Sequence, residues 1–174
     1  RFRNKLVKFK ILDKLFALVV KSLERKGLIN SGSLIIDSTI VACSRKHKKV
    51  IDITHEVPLI YYSKDEDATW TNKSGYLYYG FKIHMSVDAE HGFITGGFVT
   101  GANCSDTTEF AKTICCSALK PTVAVLADKG YASRANRDYL MHLGLKDGIM
   151  HKATRKKKLN ELQKAINAEI SKVR

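Results

Sequence analysis

Leu34-Ile35-Ile36-Asp37-Ser38-Thr39-Ile40-Val41 is an apolar run with one carboxylate inside it. Preceded by Ser31-Gly32-Ser33, a run of this length reads as a buried strand. Asp is disfavoured within strands, and an ionised carboxylate in apolar surroundings is costly unless a cation or strong donors compensate it. A second run repeats the arrangement. Val123-Ala124-Val125-Leu126-Ala127-Asp128 leads into Lys129-Gly130-Tyr131, a strand-to-helix turn in which Gly130 supplies the permissive backbone. Asp128 alone also suits a turn former or the N-cap of a following helix, whose start the pattern places near Ser133. As a pair, the two acids predict a shared metal ion.

The segments around these runs place the two strands together. Apolar residues from Leu6 to Leu23 recur at three- and four-residue steps, predicting one helix over 5–26 that stops at Gly27. Residues 1–30 thus read as the C-terminal tail of a helical region that begins upstream. A polar loop over 44–64, holding Arg45-Lys46-His47-Lys48-Lys49, follows the Asp37 strand. Between Tyr76 and Asp88, Leu77, Tyr79, Phe81, Ile83, Met85 and Val87 alternate with Tyr78, Gly80, Lys82, His84 and Ser86. That is the pattern of a half-buried antiparallel strand, and His91-Gly92 turns it into a partner over 93–99. A helix over 106–118, capped by Ser105 or Asp106, precedes the Asp128 strand. Then come a helix over 134–143, a short strand near 147–150, and a last helix with the stripe Leu159, Leu162, Ile166, Ile170 and Val173. Strands joined by helical crossovers pair in parallel, so the Asp37 and Asp128 strands can be neighbours with both acids at the C-terminal sheet edge. The predicted class is α/β.

Composition narrows the function. Thirty Lys and Arg against 17 Asp and Glu give 174 residues a formal charge of +13, with a pI near 9.6. That excess favours a polyanionic partner, and nucleic acid is the commonest. No apolar stretch approaches a membrane span, and no signal peptide opens the chain. Cys43, Cys104, Cys115 and Cys116 lack C-x-x-C spacing, which points to reduced thiols in a cytosol rather than zinc ligands.

An ordered set of short motifs resembles a known family. Ile36-Asp37-Ser38-Thr39-Ile40-Val41, Asp67-Ala68-Thr69-Trp70 with Lys73, and Tyr79-Gly80-Phe81-Lys82-Ile83-His84 come first. Val99-Thr100-Gly101-Ala102-Asn103-Cys104-Ser105-Asp106 and Ala127-Asp128-Lys129-Gly130-Tyr131 follow. Together they resemble the DDE transposases of bacterial insertion sequences, most closely the insertion-sequence-five-like group. The resemblance implies a ribonuclease-H-like mixed sheet, with antiparallel hairpin strands plus parallel strands, flanked by helices. It makes 31–174 the catalytic domain, with Asp37 and Asp128 as the first two members of an acidic triad and as ligands of Mg²⁺ or Mn²⁺. The third member, a Glu on the last helix, is expected beyond Arg174, with Glu161 and Glu169 solvating that helix. The partners implied are double-stranded DNA, as transposon ends and as target, and further copies of the full-length protein. A bacterial cytoplasm with nucleoid association is the expected location.

Phosphodiester cleavage and strand transfer need an activated oxygen nucleophile and a stabilised leaving oxygen, tasks for which carboxylate-held divalent ions suffice. Residues expected to neutralise DNA phosphates are Arg45, Lys46, Lys48 and Lys49 in the first basic run, and Arg155, Lys156 and Lys157 in the second. Lys82 and His84 on one strand face, and Lys129 beside Asp128, complete the expected set. Trp70, Tyr76, Tyr78 and Tyr79 either stack on unpaired bases or pack at a sheet edge. Asp106 reads as a turn or cap residue. The rivals are a non-catalytic, truncated remnant that only binds DNA and a ribonuclease-H-like nuclease unrelated to mobile elements. Without its third acid, the fragment is expected to bind DNA and cleave little.

Overall fold

The ten-residue strand around Asp37 is the spine of the structure. The computed structural model describes residues 2–29, 32–43, 49–52, 59–62, 65, 67–117, 123–155 and 157–174. The elements run α1 (Phe2–Lys8), α2 (Leu12–Arg25), β1 (Ser33–Ala42), β2 (Lys49–Asp52), β3 (Leu59–Tyr62), β4 (Thr69–Lys73), β5 (Tyr76–Asp88) and β6 (Ile94–Gly101). After these come α3 (Asp106–Cys115), β7 (Ala124–Ala127), a 3-10 turn (Lys129–Tyr131), α4 (Arg134–His142), β8 (Lys146–Ile149) and α5 (Glu161–Val173).

The sheet order is β4-β5-β1-β7-β8, with β6 also paired to β5. β5 is antiparallel to β1, β4 and β6. β7 is parallel to both β1 and β8. This is a mixed, helix-flanked sheet of antiparallel hairpin strands plus parallel strands, with the Asp37 and Asp128 strands adjacent as the crossover argument allows.

Registers sort the side chains onto two faces. Leu34, Ile36 and Ser38 of β1 lie opposite Asp88, Ser86 and His84 of β5, while Ile35, Asp37 and Thr39 lie opposite Val87, Met85 and Ile83. Helices α3 and α4 cover the first face. Leu34, Ile36, Val125, Ala127 and Ile149 of the sheet pack there against Phe110, Ile114, Tyr131 and Leu140. Fully burying each such side chain contributes roughly 1.5–3 kcal/mol.

Three expectations need correcting. The single helix over 5–26 is two helices, because Lys10 takes a left-handed conformation (φ 51°) between α1 and α2. An apolar period of 3.6 continues across such a break and conceals it. The loop over 44–64 contains the antiparallel β2–β3 pair, and β4 was not anticipated. On β5 the alternation holds, but the buried half is the polar one: His84, Ser86 and Asp88 are 0–2% exposed, whereas Phe81, Ile83, Met85 and Val87 are only half-buried. Small side chains explain this. Ser86 Oγ bonds Thr95 Oγ1 at 3.0 Å, the Gly96 carbonyl at 3.3 Å, and Ser117 Oγ. A Cβ at Gly96 would meet the Cys116 carbonyl oxygen at 2.5 Å. Small hydroxyls and a bare glycine let the end of α3 approach the sheet closely, and their polar atoms satisfy one another.

Candidate active site

β1 and β7 pair as far as Ile36 and Ala127. The next residue on each strand is an aspartate. With parallel strands about 4.8 Å apart, Asp37 and Asp128 stand side by side at the C-terminal edge of the pair. Asp37 shares the face of Ile35 and Thr39, away from α3. Its side chain is 61% exposed, so the carboxylate is not sunk in an apolar strand as its neighbours in sequence suggest. β1 runs on past the end of β7, and solvent reaches the side chain there.

Asp128 combines both roles considered for it. It caps the 3-10 turn, Oδ1 accepting from the Gly130 N–H at 2.6 Å, and it stands beside Asp37. Gly130 is required for space rather than for an unusual φ, since a Cβ there would lie 2.8 Å from Asp128 Oδ1. Asp37 Oδ1 accepts from the Ser38 N–H at 2.8 Å. Its Oδ2 faces the Arg174 guanidinium, 3.3 Å away at the end of α5. That helix is joined to the segment after β8 by a two-way link: Asn167 accepts from the His151 N–H at 2.7 Å and donates to its carbonyl at 2.9 Å.

On the helix-covered face beneath the pair lies a polar chain. Ser38 Oγ donates to Asp106 Oδ1 at 2.8 Å. Lys82 Nζ stands 3.1 Å from the same oxygen and donates to the Cys104 carbonyl at 2.6 Å. Asp106 is therefore a tertiary partner, not a cap or turn residue alone. The Tyr131 ring is 1% exposed and tilts against Phe110, centroids 5.7 Å apart. Burial holds its phenol well above the ordinary range, reinforced by the charges of Asp106, Asp37 and Asp128. The Ser38 hydroxyl near it acts the other way, and the buried phenol oxygen makes no hydrogen bond of ordinary length and angle.

The structure does not bring Lys82 and His84 to the carboxylates. Both lie on the opposite face. Lys82 is 12% exposed and held by Asp106. His84 is fully buried, bonded to Thr100 Oγ1 at 3.0 Å and stacked on Phe98. Lys129, Arg155 and Lys157 are exposed. Arg45, Lys46, Lys48 and Lys156, with the side chain of Lys49, lie outside the described residues. Glu161 and Glu169 are exposed and paired with Lys164 and Lys172. Among the described residues no three His, Cys, Asp or Glu converge as a metal site.

Trp70 is 49% exposed and rests on the buried Tyr79 ring at the β4–β5 edge. Sequence reasoning missed an open groove of about 430 Å³ lined by Arg134, Arg137, His151 and Lys152, among others. It lies between the start of α4 and the segment that follows β8. Arg137 ties it together by pairing with Asp147 and donating to the Ile149 carbonyl at 3.0 Å. Neither arginine belongs to a charge run, so composition carried no signal for them.

A transposase DDE domain model matches residues 31–174. The chain belongs to the DDE transposase family. It is 34% identical, over 180 aligned positions and all of its length, to the transposase for insertion sequence element IS1106 of Neisseria meningitidis serogroup B. It spans 62% of the length of that curated relative. Among solved structures it is similar to the Mos1 mariner paired end complex with Mn, at 11% identity and a TM-score of 0.38, covering 78% of this chain and 40% of that one. The Mos1 transposase paired-end complex with left transposon end gives 14% identity and the same TM-score and coverage. Among the described residues of this DDE domain, no helix is long and apolar enough to cross a membrane.

Proposed function

We propose that this DDE domain holds a divalent cation, Mg²⁺ or Mn²⁺, between Asp37 and Asp128 and cleaves and rejoins DNA strands during transposition of an insertion sequence. The observation that carries the reading is the β1–β7 register, which makes Asp37 and Asp128 neighbours at the end of the strand pair, with the Asp37 side chain reached by solvent. Hard carboxylate oxygens suit these ions, and Mg²⁺ commonly keeps several waters beside one or two carboxylates, so two acids are a fitting donor set. When bound, such an ion supplies Lewis-acid stabilisation of the phosphoryl oxygens and a more acidic water.

Asp37, on a strand paired along both edges, is the rigid ligand. Asp128 has one oxygen committed to Gly130 and would bind the ion through the other. Glu161 and Glu169, on this reading, keep their lysine partners. Lys129, the groove of Arg134 and Lys152, and Arg155, Lys156 and Lys157 would take backbone phosphates. Arg45, Lys46, Lys48 and Lys49 are proposed to do the same beyond β1. Lys82 and His84, engaged elsewhere, are left out of the contact set. The motifs quoted above favour the insertion-sequence-five-like subgroup, a bacterial cytoplasmic location and assembly as oligomers.

The test is Mn²⁺ binding followed by paramagnetic resonance of the free ion. Asp37→Asn and Asp128→Asn should each lower the affinity at least about tenfold, as losing one of two carboxylate ligands does. Unchanged affinity in both variants would falsify the site. DNA affinity should fall by orders of magnitude between low and physiological salt if several phosphates are neutralised, and a flat titration would remove the electrostatic argument.

A further inference from the structure

We propose that Tyr131, Ser38 and Asp106 form a positioning unit that sets the separation of the Asp37 and Asp128 carboxylates. The inference rests on the reading that those carboxylates hold a divalent ion. It begins from an anomaly: among the described residues only two buried side-chain polar atoms lack a hydrogen-bond partner, His84 Nδ1 and the Tyr131 hydroxyl. Buried polar groups are nearly always satisfied, so an orphan near an active site needs a reason.

Everything else about Tyr131 is fixed. Its N–H bonds the Asp128 carbonyl at 3.1 Å. Its own carbonyl accepts from Asn136 Nδ2 at 2.9 Å. Its ring is wedged against Phe110. The phenol is thus a rigid arm projecting from the Asp128 turn, and it ends beside Ser38 on the neighbouring strand.

Ser38 is as closely tied to Asp37, whose carboxylate accepts from its backbone N–H. The Ser38 hydroxyl proton is already directed at Asp106, which Lys82 anchors in turn. Ser38 Oγ therefore has a lone pair to offer and no second proton. The phenol O–H is the natural donor to it. In the structure this one link of the chain Tyr131, Ser38, Asp106, Lys82 is open. Once made, that hydrogen bond would tie the Asp128 turn to β1 and so fix the spacing of Asp37 and Asp128, the two residues that would hold the ion.

An idle phenol and a positioning phenol predict opposite outcomes for Tyr131→Phe. The experiment measures Mn²⁺ affinity and thermal midpoint on the whole chain, alongside Asp37→Asn. We expect Tyr131→Phe to bind Mn²⁺ about 10- to 100-fold more weakly, the range seen when a partner of a metal ligand is removed. Its midpoint without metal should stay the same or rise, because the variant deletes an unsatisfied hydroxyl. Ser38→Ala should weaken binding likewise, and Ser38→Thr, which keeps the hydroxyl, should restore it. Wild-type affinity in Tyr131→Phe, with Asp37→Asn defective, would overturn the inference and leave the metal site standing. A weakened affinity that tracks a lowered midpoint, or that Ser38→Ala does not share, would overturn it as general loosening. Undiminished binding by Asp37→Asn itself would remove the metal site and this inference together.

Discussion

The two faces of the central sheet differ in a way their residues do not advertise. The face under α3 and α4 holds the packed core, yet on β5 it buries His84, Ser86 and Asp88. The other face carries Asp37 on β1 and the half-exposed Phe81, Ile83, Met85 and Val87 on β5, and Val99 opposite Ile83 is 58% exposed. Hydrophobicity therefore does not decide which face is inside. Fit decides it on β5: Ser86 beside Gly96 lets the end of α3 come close, and His84 is accommodated by Thr100 and by stacking on Phe98. The site occupies the face left to solvent, where a carboxylate can stay charged and a phosphate can arrive.

The sharpest way to break this contrast is to delete apolar side chains on the two faces in turn. Phe110→Ala, on α3, should cost about 3–5 kcal/mol in urea denaturation, the usual penalty for emptying a fully buried aromatic site. Ile83→Ala on the open face should cost about 1 kcal/mol or less, because its side chain already meets water. Equal losses would show that the open face is as well packed as the other.

The polar half of the covered face can be probed with one atom. Ser86→Ala should destabilise by about 1–2 kcal/mol despite being smaller and more apolar, since Thr95 and Ser117 lose a shared partner. An unchanged denaturation midpoint would mean the hydroxyl cluster only fills space.

A smaller effect, visible only with pH, concerns His84 on the same face. Burial holds its imidazole below the ordinary value of 6.5; Lys82 and Lys112 act in the same direction, while Asp106 and Glu109 oppose it. The unfolded chain takes up a proton near pH 6.5 that the folded chain refuses. Stability from this group is therefore complete above that pH and falls below it, until the folded-state value is passed. The slope is at most about 1.4 kcal/mol per pH unit. His84→Gln should flatten the slope between pH 7 and 5.5, and an identical slope in the variant would assign it to other groups.

The neighbouring placement of Asp37 and Asp128 was legible beforehand because the strands that carry them are local patterns. The apolar runs ending at Asp37 and Asp128 are strands by pattern, and the helix between them makes parallel pairing the simple solution. What was not legible is how side chains meet across the fold. Asp106 looks like a helix-start residue because it opens α3 directly after Ser105, and only the tertiary fold gives it Ser38 and Lys82. The phosphate role expected for Lys82 and His84 came from their shared strand face, without knowledge that the face is the covered one. The break at Lys10 was hidden because an apolar period survives a one-residue change of φ.

Sequence alone indicated the run of strands and helices from β5 onward, that the two aspartate strands can be neighbours, and the excess of positive charge, which follow from period, crossover connection and composition. Only the tertiary structure decided which face of β5 is buried, that Asp37 is exposed rather than interred, and that Tyr131 ends unpartnered beside Ser38. These depend on how closely a helix can approach a sheet, a distance set by side chains far apart in the chain.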